Sequence, residues 1–68
     1  MHPMTERGMV VGEGYSMHNP KDAVKDAIRQ AVSNFEPGTV RVTTVSHDVI
    51  RRGEEYVATV VLAFENLE

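Results

Sequence analysis

Tyr56-Val57-Ala58-Thr59-Val60-Val61-Leu62-Ala63-Phe64 limits what this chain can fold into more than any other stretch. All of it except Thr59 is apolar, and its β-branched and aromatic side chains favour a strand. On a strand, Tyr56, Ala58, Val60, Leu62 and Phe64 share one face, and Val57, Thr59, Val61 and Ala63 share the other. Both faces are therefore dry. The chain offers one clear helix, and one helix covers one face. The second face needs cover from outside the chain, and another copy of the same chain supplies it most simply.

Size sharpens that expectation. The sequence has 68 residues and no cysteine. Ordering a chain costs roughly 1.5 kcal/mol per residue, which apolar burial barely offsets in so short a domain. Disulfides and thiolate metal sites are excluded as remedies, so association is the remaining one. The net charge of −3 gives no basic footprint for nucleic acid. No apolar run approaches the ~20 residues that cross a bilayer. The N-terminal stretch lacks the continuous apolar segment of a signal peptide. A soluble, cytoplasmic protein is expected, with no nucleic-acid or membrane partner.

Read in order, residues 1–7 form a loose tail and 8–68 a single domain. Met9-Val10-Val11, between Gly8 and Gly14, reads as a first strand. Tyr15 to His18 reads as a loop. Asn19-Pro20-Lys21-Asp22 then carries the signs of a helix start. Asn19 can cap, Pro20 suits the first helical position, and Asp22 can return a bond to the Asn19 amide. Ala23, Val24, Ala27, Ile28, Ala31, Val32 and Phe35 recur at helical spacing, which predicts an amphipathic helix from about Pro20 to Phe35. Pro37-Gly38 stops it. A second strand is expected over Thr39 to Ile50, where the inward phase changes between Val42 and Val45 and predicts a bulge near Thr43-Thr44. Arg51-Arg52-Gly53-Glu54 reads as the turn of an antiparallel hairpin. The fold class is α+β, in the order β-α-β-β, with one helix on a three-stranded antiparallel sheet and closure into a homo-oligomer.

Four constellations touch on chemistry. Gly12-Glu13-Gly14 suggests a phosphate loop, but the third glycine of a dinucleotide fingerprint is replaced by Met17, so close packing at a strand end is the simpler account. Ser46-His47-Asp48 has the residue types of a hydrolase triad, yet strand neighbours point to opposite faces. Asp22 and Asp26, with Glu13 toward the helix start, supply too few oxygens for Ca²⁺, which takes 6–8, and i, i+3 pairs of Asp22 with Lys25 and Asp26 with Arg29 compete for them. Arg41, Arg51 and Arg52 are candidates for an anionic ligand or simply keep a hairpin soluble. A tautomerase-like amine base fails at Pro3 unless the tail is trimmed, because its nitrogen is an amide behind Met1 and His2.

From Met9 to Glu65 the chain resembles the dodecin family. The resemblance rests on Gly14-Tyr15-Ser16, the cap at Asn19, Asp22-Ala23-Val24-x-x-Ala27-Ile28-x-x-Ala31, Val40-Arg41-Val42-x-x-Val45, and Tyr56 followed by Leu62-Ala63-Phe64. It implies a hollow dodecamer that binds a flavin, FMN or riboflavin, and it places cofactor contacts at Val42, Val57, Val45 and Arg41. Two of these depart from the family pattern. Val42 stands where a tryptophan stacks on the flavin ring, and Val57 where a glutamine hydrogen-bonds it. Stacking contributes about 0.5–1.5 kcal/mol beyond area burial, and ring polar atoms left unpaired cost more. The expectation is therefore an oligomeric binding or storage protein, not an enzyme, with weak or absent flavin affinity. A hollow assembly holding an anion or divalent metal, and a small enzyme with a site between subunits, are the alternatives.

Overall fold

In the computed structural model, which describes residues 7–36 and 38–66, the elements run β1 (Arg7–Ser16), α1 (Pro20–Val32), β2 (Val40–Arg52) and β3 (Glu55–Asn66). All strand pairings are antiparallel and the sheet order is β1-β3-β2, so the two-faced β3 is central. The helix lies on one face of the sheet. Ala23, Ala27 and Ala31 meet Ala58, Val60 and Leu62 there, forming the buried core. Of these, only Val60 and Leu62 are large side chains fully withdrawn from solvent.

The small residues on both sides of this contact are required by geometry. Gly12 and Gly14 face the helix from β1, in register with Val60 and Ala58. A Cβ on Gly12 would overlap the Ala27 carbonyl and lie 2.7 Å from the Ala31 methyl, and one on Gly14 would overlap the Ala27 amide. The obstructing atoms are mostly backbone, which cannot turn aside. The Gly-Glu-Gly stretch is thus a packing device that lets α1 settle against β1.

Local chemistry sets the helix start. Asn19 is extended (φ −159°, ψ 160°), and its side-chain oxygen accepts the Asp22 amide at 2.8 Å. Its Nδ2 donates to the Asp22 carboxylate at 3.2 Å, so the return bond runs between side chains and not to the Asn19 backbone. Ser16 Oγ accepts from the amides of His18 and Asn19, which turns the chain from β1 into the cap.

Several boundaries differ from the sequence expectation. β1 includes Arg7, Tyr15 and Ser16, because β3 continues to pair with them. The helix ends at Val32. Phe35 follows its apolar period but lies beyond the helix end, where its ring is 5.0 Å from that of Phe64. Arg51 and Arg52 are strand residues, so the hairpin turn is only Gly53-Glu54, with Gly53 at φ 65°. The register shift falls between Thr44 and Ser46, leaving Val45 as the extra residue. Residues 1–6, with Pro3, and Pro37, Leu67 and Glu68 lie outside the described residues.

The glycine contact yields a graded prediction. Gly14→Ala is expected to destabilise the fold by about 1–3 kcal/mol or more, as overpacking does. Gly8→Ala should cost less, since its Cβ would meet the turnable edge of the Phe64 ring at 2.8 Å. Urea denaturation of both variants checks the order. Equal stability of Gly14→Ala and the parent contradicts this packing.

Candidate functional site

The strand register divides the sequence-selected residues between the two faces of the sheet. Val42 pairs with Phe64 on the helix side, whereas Val57 lies on the open side between Tyr15 and Ile50. Seven residues of β3 separate those levels, about 23 Å at strand rise. One copy therefore does not bring Val42 and Val57 together. Val57 is also only 3% exposed, despite lying on the face away from the helix. Its larger neighbours Tyr15 and Ile50, one on each side, wall it in. Val45 is exposed at the bulge.

Arg41 belongs to a better-defined feature. On the open face it pairs with Glu65 at 3.8 Å, and Arg7, arriving from the opposite neighbouring strand, pairs with the same carboxylate at 3.3 Å. Two guanidiniums thus share one carboxylate across three strands. They border a shallow concavity of about 550 Å³ whose lining includes Met9, Thr43 and Ala63. Such exposed pairs contribute at most about 1 kcal/mol each.

The other end of the open face is held by Glu13 and Tyr15. The Tyr15 hydroxyl donates to Glu13 Oε1 at 2.6 Å, and this bond, with the charge of Glu13 behind it, raises the Tyr15 pKa above its ordinary value. The Tyr15 amide donates to Asp26 on the helix at 3.0 Å. Tyr15 sits on an edge strand, so this bond satisfies a donor the sheet leaves unpaired. Sequence reasoning missed Tyr15 because Gly-Tyr-Ser reads as a loop.

The remaining constellations separate. Ser46 and Asp48 lie on the open face opposite Val61 and Thr59, while His47 faces the helix side with Val60, so no relay forms. Asp26 serves Tyr15 and pairs with Arg29 at 3.6 Å, and Asp22 is engaged by Asn19. Among the described residues, no three His, Cys, Asp or Glu side chains converge as a metal-binding group. Arg51 stacks over the Tyr56 ring at 5.8 Å and donates to the Gly53 carbonyl. Among the described residues, no helix is long and apolar enough to cross a membrane.

No family description, curated protein or solved structure matches this chain.

The Tyr15–Glu13 bond is testable by spectrophotometric titration. In a Tyr56→Phe background, phenolate absorbance reports Tyr15 alone, since the chain has 2 tyrosines. A carboxylate acceptor favours the protonated phenol. Glu13→Gln should therefore lower the Tyr15 midpoint. An unchanged midpoint contradicts the pairing.

Proposed function

We propose that this protein is a dodecin-like binding or storage module, a closed homo-oligomer that holds a small molecule between its copies. The observation that carries the reading is the open face of the sheet. Met9 (64% exposed), Val11 (66%), Tyr15 (46%) and Ile50 (50%) present apolar surface there, beside the partly exposed Val61 and Ala63 of β3. Soluble monomers rarely leave contiguous apolar patches of more than a few hundred Å² uncovered.

Two measures of shape support the same reading. The radius of gyration is 13.9 Å, against about 11 Å for a compact domain of this length. The chain exposes 5186 Å², roughly 900 Å² above the scaling for compact monomers of its mass. Both ends of the open face carry both signs of charge, Arg7, Arg41 and Glu65 at one and Glu13, Arg52 and Glu55 at the other. A face of that kind can complement itself, as closed two-fold contacts require.

The ligand follows from the placement of Val42 and Val57 on opposite faces. A molecule touching both family positions takes them from different copies, so its site depends on assembly. The missing ring contacts make any flavin affinity weak. The reading is non-enzymatic and keeps the cytoplasmic location expected from the sequence.

Light scattering at micromolar concentration tests it. The expected result is a discrete multiple of 7.6 kDa, twelve if the resemblance extends to copy number. Val11→Lys, harmless in a monomer at so exposed a position, should split the particle, because burying an unpaired ammonium costs several kcal/mol per copy. Riboflavin should quench with worse than micromolar affinity. A stable, soluble monomer of the parent chain overturns the reading.

A further inference from the structure

The helix side of the sheet carries a feature that the reading above does not use. Because α1 is drawn onto β1 and β3, a trough of about 460 Å³ opens between its first two turns and β2. Val24 and Val49, both half-buried, form its floor together with Pro20. Lys21, Lys25 and His47 line it as well, and no carboxylate does. In a chain of net charge −3, this is a local concentration of basic groups.

The carboxylates that could neutralise these groups are occupied elsewhere. Asp22, at i, i+3 from Lys25, is held by Asn19 at 3.2 Å. Asp26 faces β1, where it bonds Tyr15 and Arg29. Asp48, next to His47, belongs to the opposite face of the strand. Arg7, Arg29 and Arg41 all have carboxylate partners, whereas among the described residues Lys21, Lys25 and His47 have none.

The arrangement also works against the free protein. Lys21 and Lys25 are one turn apart, where like charges repel by a few tenths of a kcal/mol. Lys21 lies in the first helical turn, at the positive end of the helix dipole. A bound anion relieves both. A simple solvated face would not need an apolar floor beneath the charges.

We propose that this trough binds a small amphiphilic anion, a carboxylate or phosphate on an apolar body. Lys21 and Lys25 hold the charged head, His47 contributes a ring N–H, and Val24 and Val49 seat the body. The proposal goes beyond the oligomer reading, since every residue it uses comes from one copy and from the face opposite the proposed contact.

Isothermal titration of the full chain with octanoate, phenyl phosphate and inorganic phosphate tests it. Octanoate covers the carboxylate arm and phenyl phosphate the phosphate arm. At least one should bind, and more tightly than inorganic phosphate, which lacks the body. Lys21→Gln combined with Lys25→Gln should weaken binding about tenfold or more, the scale of lost charge-assisted bonds. Arg29→Gln, the same charge change per site on α1 but outside the trough, should leave it intact. Light scattering of each variant should match the parent, which separates this outcome from failure of the assembly. Parent-like binding by the double lysine variant overturns the proposal. So does equal binding of inorganic phosphate, or no binding of either organic probe at millimolar concentration, the result expected if another copy fills the trough.

Discussion

The close approach of α1 to β1 is the constraint on which the rest of the structure depends. Two glycines on the sheet and three alanines on the helix remove the side chains that would hold the two backbones apart. A helix seated on larger residues would ride higher and nearer the middle of the sheet. Here it is drawn toward one edge, and Asp26 fastens it there by accepting the outward amide of Tyr15. That bond satisfies one outward amide of the edge strand β1.

The same offset leaves β2 exposed. Nearly all of its thirteen residues are open to solvent, with Val40 and Val49 the partial exceptions. This strand protects its own edge by other means, a bulge at Val45 and charges at Arg41, Asp48, Arg51 and Arg52. The sheet thus presents two surfaces with different characters. The face away from the helix is broad and apolar with charged ends, suited to another copy. The trough beside the helix is narrow and basic over an apolar floor, suited to a small anion. The trough depends on the glycines that let the helix settle toward β1.

Much of the fold was legible in the sequence. The alternation in β3, the stripe on α1 and the Asn19-Pro20 start each rest on local chemistry that the structure keeps. Several of the failures share a cause, dependence on a neighbour distant in sequence. Tyr15 and Ser16 read as loop residues because their strand pairing comes from Val57 and Tyr56. Phe35 fits the helical period, but its contact with Phe64 is made beyond the helix end. The pattern of β3 leaves open which face the helix covers, and the burial of Val57 on the other face depends on its register partners Tyr15 and Ile50 on two other strands. The grouping of His47 with Lys21 and Lys25 depends on how far the helix is displaced, which no pattern in β2 reveals. Gly12 and Gly14 did carry a signal. Glycines two apart on a strand, matched to alanines four apart on a helix, identify the strand face that the helix must approach.

Cover of the open face is the central claim, and methionine oxidation tests it most directly. Met9 (64% exposed) lies on that face, and Met17 (63%) lies in the loop between β1 and α1. Their exposure in a single copy is nearly equal, so peroxide should oxidise them alike if the chain stays alone. In the native particle, peptide mass spectrometry should find Met17 oxidised several-fold faster than Met9. Equal rates at the two sites would contradict the account.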